Sequence, residues 1–128
     1  MKAGDTFLIP LPGTSLDSHL WIVLSDPEQD PRRILIVNLT TVRDGSDPAC
    51  VLHVGDHHFV RHDTCVSYAG AKVVSGADIE RLFQAKALSH NVAVSPEVLE
   101  RIRRGAGDST RMRMEHADIL VDQGLLDC

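Results

Sequence analysis

The sequence predicts an α+β fold, mainly β, in which a small antiparallel barrel is followed by two or three helices. Three observations predict it. Residues 6 to 74 hold short β-branched and apolar runs punctuated by turn clusters rich in Pro, Gly and Asp. No helix-length insert separates those runs, which argues for antiparallel pairing rather than βαβ units. From Ser75 onward the apolar residues recur at helical spacing.

Each element has its own reason. Thr6-Phe7-Leu8-Ile9 is a β-prone run closed by Pro10 and a Pro12-Gly13 turn. His19 to Leu24 is apolar nearly throughout, the mark of a strand buried on both faces. Asp26 to Pro31 is a polar, proline-bearing connection, and Arg33 to Leu39 is a second central strand. The turn cluster Asp44-Gly45-Ser46-Asp47-Pro48 leads to a strand over Ala49 to Val54, broken at Gly55-Asp56. Cys65 to Tyr68 and Ala71 to Val74 supply one or two more. Ser75 caps a helix over Ala77 to Leu88 with Ile79, Leu82, Phe83 and Ala87 on its apolar side. Ser95-Pro96-Glu97 is a helix start: a capping hydroxyl, proline in the first turn and an acid against the dipole. Gly105-Ala106-Gly107 is expected to end that helix, and Met112 to Val121 forms a further short one. The chain reads as a single domain, 1–128, with the barrel in 1–74 and a helical appendage in 75–128.

At 128 residues, 43% apolar and 24% charged, the chain has the make-up of an average globular domain. Its net charge of -5 argues against a non-specific coat on duplex DNA. A local anion site remains compatible with that charge, because local fields outweigh the sum. No apolar run approaches the ~20 residues of a membrane span, and the start turns acidic at once, so neither a membrane segment nor a signal peptide is expected. Three cysteines, Cys50, Cys65 and Cys128, form no CxxC pair. A reducing cytoplasm is the simplest setting for them.

Gly4-Asp5-Thr6-Phe7-Leu8-Ile9, then His19 to Asp26, then Ile36 to Thr41 resemble, in that order, segments of the MazF/PemK family of toxin endoribonucleases, the first of them being similar to the family's opening strand. His19 to Asp26 stands where the family has an Arg-Pro-aliphatic strand ending in Ser/Asn-Asp, and Ile36 to Thr41 resembles its next strand, which ends in a Leu/Ile-Thr step. The resemblance covers roughly residues 1–45 and departs at two places: His19 replaces the family arginine and Leu20 the proline that follows it. It implies an SH3-like, MazF-like barrel with helices, usually dimeric. It also implies a cytoplasmic, toxin-type endoribonuclease, a hydrolase of single-stranded RNA in a toxin–antitoxin pair. A homodimer and an antitoxin protein are the implied partners. The family threonine implicated in cleavage matches Thr40 or Thr41.

The residues themselves suggest how such chemistry would run. Metal-independent RNA cleavage needs a base for the 2'-OH, an acid for the leaving oxygen and donors for the phosphorane charge. Histidine, with an ordinary pKa near ~6.5, suits the first two tasks. His19 is the candidate base or acid, Thr40 or Thr41 the phosphate donor, and His58 or Tyr68 the complementary proton carrier. Arg43, Arg61 and His57 are candidate RNA-binding residues. The histidine window, His53, His57, His58 and His62, with Asp63, is rich in metal-ligating atoms, but Gly55-Asp56 and its β-rich flanks deny it the helix that His-x3-His spacing needs. No metal and no cofactor are therefore expected. Arg101, Arg103, Arg104, Arg111 and Arg113 form a basic cluster that could track phosphates or an acidic partner segment, and otherwise reads as a solvated helix face. The alternative to an enzyme is a non-catalytic barrel that binds RNA or a protein partner. No phosphate-cradling Gly loop, nucleophile elbow or HExxH is present.

Overall fold

The computed structural model describes residues 1–10 and 18–127. The expected Pro12-Gly13 turn and Cys128 lie outside the described residues. The elements are β1 (Thr6–Pro10), β2 (Ser18–Val23), β3 (Ile34–Thr41), β4 (Val51–Leu52), β5 (Thr64–Val74), α1 (Gly76–Gln84), β6 (Ser89–Asn91), α2 (Pro96–Asp108) and α3 (Met114–Asp122). All strand pairs are antiparallel, in one six-stranded sheet of order β4-β5-β3-β2-β1-β6.

Strand alternation sends two apolar sets to opposite faces. Leu20, Ile22 and Leu24 join Leu35, Val37 and Leu39 in the larger core, which Val98, Ile102 and Ala106 of α2 and Leu120 of α3 close. Phe7, Trp21, Val23, Ile34 and Ile36 face the other way, under Ile79 of α1 and Leu88. The caps are as the sequence predicts: Ser75 Oγ accepts from Asp78 N at 3.1 Å and Ser95 Oγ from Val98 N at 3.1 Å.

Four expectations are corrected. The sheet is α+β and antiparallel, but it does not close into a barrel. Its rims, β4 and β6, are two and three residues long. The face a barrel would turn inward is covered by α2, α3 and the loop carrying Phe59 and Val60. The polar tripeptide Ser89–Asn91 returns as β6 against β1, so the part after residue 74 is not purely helical. α1 ends at Gln84, where Lys86 takes a left-handed φ of 60° and releases Leu88 into the smaller core. Finally, α2 runs through Gly105 to Asp108, because Gly105 is where the helix meets the sheet: a Cβ there would collide with the Tyr68 hydroxyl and lie 2.9 Å from Cys50 Cβ. No helix among the described residues is long and apolar enough to cross a membrane.

Candidate functional site

β3 places the polar groups of interest. On the α1 side of the sheet it presents Ile34 and Ile36, both buried, then Asn38 and Thr40, both half-buried. The face thus changes from apolar to polar along a single strand. The β2–β3 register pairs Trp21 with Asn38. His19 lies two residues before Trp21 on β2, and so on the same face of the sheet. Its ring reaches β3, with Nδ1 3.3 Å from the carbonyl oxygen of Leu39, the residue before Thr40. A carbonyl only accepts, so this is a hydrogen bond in the tautomer protonated at Nδ1. Nε2 then keeps its lone pair, the form a general base needs.

β5 extends both rows. Asn38 pairs with Ser67 and Thr40 with Cys65, giving the row Trp21–Asn38–Ser67 across three strands and Thr40–Cys65 across two. Between Ile36 and Asn38 the β3–β5 register shifts, and β5 bulges over Ala69 to Ala71. Gly70 in that bulge leaves room for two polar side chains: a Cβ on it would stand 2.9 Å from Asn38 Oδ1 and 3.0 Å from Ser67 Oγ. Lys72 Nζ lies 5.7 Å from the Trp21 ring centroid, a cation–π contact at the border of the polar area. Beside Thr40 is a small cavity of about 100 Å3, lined among others by Ser46, Asp47, Cys65, Ser67 and Arg111.

Of the other expected site residues, only Tyr68 also borders this cavity. Thr41 has the opposite parity to Thr40, and its Oγ1 is 3.0 Å from His62 Nε2. Tyr68 is withdrawn from proton transfer. Its side chain is fully buried in the larger core and its hydroxyl donates to Ile102 O at 2.6 Å, while burial pushes its pKa well above the usual phenol value. His57 is likewise held by the fold through both ring nitrogens. It is buried, its Nε2–H donates to Val92 O at 2.6 Å, and its Nδ1 accepts from Phe59 N at 3.1 Å. His58 is exposed and stacks on His57, 4.7 Å between centroids. Its loop packs on the larger core, across the sheet from His19. Arg61 shares with His57 and His58 a shallow depression on that side. Arg43 is exposed at the turn after β3, its N–H donating to Ser46 Oγ at 2.8 Å.

The histidine window diverges. His53 Nδ1 is 2.8 Å from Asp63 Oδ1, His57 turns to Val92 and His62 to Thr41. Among the described residues, no three His, Cys, Asp or Glu side chains are placed to hold a metal ion.

The arginine cluster is divided as well. Arg101 pairs with Asp56 at 2.9 Å and donates to Val51 O. Arg103 Nε donates to Leu24 O, and burial lowers its pKa. Arg104 approaches Glu100 at 3.8 Å and Arg113 approaches Glu115 at 2.7 Å. Arg104 also borders a larger hollow of about 470 Å3 between α2 and the C-terminal segment, where Glu100, Asp108 and Asp127 offset its charge. Only Arg111 lines the cavity at Thr40. Its place there, like that of Ser67, was not legible locally: a register shift and the turn after α2 bring both in. Compared with known proteins, the chain matches no family model and no curated protein.

Proposed function

We propose that this chain binds single-stranded RNA across the polar half of the α1-side face and cleaves it without a metal, His19 transferring the proton and Thr40 donating to the phosphate. The observation that carries the reading is the His19 ring resting 3.3 Å from the carbonyl oxygen of Leu39, the residue before Thr40, on a partly open face of the sheet. The tautomer favoured by the Leu39 carbonyl leaves Nε2 as acceptor for the 2'-OH proton; the 2'-oxygen then bonds to phosphorus as the bond to the 5'-oxygen breaks, and the imidazolium returns the proton to that departing oxygen. Arg111 at the cavity and Arg43 at the adjoining turn provide cationic charge for the strand. The resemblance of the first 45 or so residues to toxin endoribonucleases supports the same activity. In that setting the chain pairs with a second copy of itself and with an antitoxin protein.

The test is incubation of the purified chain with single-stranded RNA in excess EDTA. Cleavage is expected, and His19→Ala should lower its rate roughly 10²–10⁴-fold, the usual contribution of a general acid or base. RNA left intact at every protein concentration rejects the activity.

One observation favours a second reading, a non-catalytic module that binds RNA or a protein. Of the expected second proton carriers, Tyr68 is locked in the core and His58 lies across the sheet. RNA retained in a complex but never cut selects this alternative.

A further inference from the structure

We infer that the cavity beside Thr40 is an oxyanion site that takes a phosphoryl group, with Arg111 as its cation. Four of the five arginines between positions 101 and 113 are engaged by carboxylates or backbone carbonyls. Arg111 is the remaining one, and among the described residues it enters no ion pair. It is also the one that lines the cavity.

Its position is fixed from behind. The Arg111 N–H donates to Ser109 Oγ at 3.0 Å, and the Ser109 hydroxyl donates to Asp47 Oδ2 at 2.5 Å. The other Asp47 oxygen accepts from Ala49 N at 3.0 Å. Asp47, the one acid on the cavity wall, therefore has both oxygens engaged and serves to anchor the 109–111 segment to the β3–β4 loop. The cationic side chain is left for a ligand.

The remaining wall combines hydroxyl donors with Cys65, Val66, Ala69 and Tyr68, whose own hydroxyl is taken by Ile102 O. Thr40 and Ser67 bring hydroxyls, and Ser46, whose oxygen accepts from Arg43 N, keeps its proton to give. A guanidinium fork with several hydroxyls suits a tetrahedral oxyanion, which arginine grips in bidentate fashion. The volume of about 100 Å3 is several times what one water requires, roughly 10–15 Å3.

For its biological ligand, an RNA phosphate, the inference rests on the reading above, but phosphate binding can be measured without any cleavage. Inorganic phosphate is titrated into the full chain and followed by amide shifts. The shifts should concentrate at residues 40, 67 and 111. Arg111→Ala should weaken binding at least tenfold. Arg113→Ala, which removes an arginine already facing Glu115, should leave it unchanged. The double variant Thr40→Val/Ser67→Ala should also weaken it. Unaltered affinity in Arg111→Ala, or shifts centred on His58 and Arg61, overturns the site. A dinucleotide without a terminal phosphate separates the sources. Competition with phosphate assigns the site to internal linkages, whereas absence of competition assigns it to free or terminal phosphate. A wild-type chain that binds phosphate through Arg111 yet never cuts RNA keeps this site and removes the nuclease; one that cuts RNA but fails to bind phosphate does the reverse.

Discussion

The two faces of the sheet are built from the same strands and do different work. On the side of α2 and α3, β3 contributes Leu35, Val37 and Leu39, all buried under the two helices and the loop carrying Phe59 and Val60. On the side of α1 the same strand contributes Ile34 and Ile36, then Asn38 and Thr40. α1 covers only the apolar end, through Ile79 and Phe83. One face is spent on stability. The other is divided between stability and a partly open row of polar groups. Alternation alone produces this division, because a strand can be uniformly apolar at odd positions and graded at even ones.

Substitutions can break that contrast or sharpen it. The largest effect should come from the sealed face: Ile102→Ala, at a fully buried site, should cost about 3–4 kcal/mol in urea denaturation, the range for a large core truncation. Gly105→Ala follows. Its methyl would press on Tyr68 and Cys50, both walled in by the core, so about 1–3 kcal/mol should be lost on overpacking. Tyr68→Phe should cost about 1 kcal/mol by removing the donor to Ile102 O, and RNA cleavage should survive it. If cleavage vanishes while the fold persists, the assignment of chemistry to the α1 side is wrong.

Smaller still is the acid response of the link between α2 and the loop after β4. The His53 backbone N–H and then the Arg101 guanidinium hold the Asp56 carboxyl below the usual carboxylate range. A lowered folded value means the stabilisation is complete above the unfolded pKa of about 3.9 and fades as pH falls through the folded one. Between pH 6 and 3 the wild-type urea midpoint should drop more than that of Asp56→Asn, by about 1 kcal/mol or less for so accessible a pair. Least of all, His19→Ala should shift stability by under ~0.5 kcal/mol. A loss matching Tyr68→Phe would give the two faces the same structural role.

Much of this arrangement was legible in the residues. The unbroken apolar run of β2 announced burial on both faces, and Leu20 and Trp21 indeed enter different cores. Ser75 and Ser95 announced their helices because capping is local chemistry. His19 and Thr40 stand out one at a time in the sequence, and only the contact of the His19 ring with the Leu39 carbonyl brings the two strand ends together. What stayed hidden depends on distant partners. Gly105 looks like a terminator until the Tyr68 hydroxyl is seen against it. Tyr68 looks like a strand-end phenol until α2 covers it. β6, polar throughout, joins the sheet through its backbone and carries no side-chain signal of a strand. The closed barrel was inferred from strand spacing, which counts strands but says nothing of whether helices will occupy the concave side.

The rims of the sheet bear on how copies of this chain can meet. β4 covers only Thr64 and Cys65 of β5, so the outer side of β5 from Val66 to Val74 has no strand partner among the described residues, whereas the opposite margin shows only Ser-His-Asn. The short polar border of β6 is a poor template for adding another strand. Self-association across β6 must therefore be built from side-chain surfaces, whereas the longer open side of β5, bent by its bulge, is where a ladder could continue from one molecule into the next.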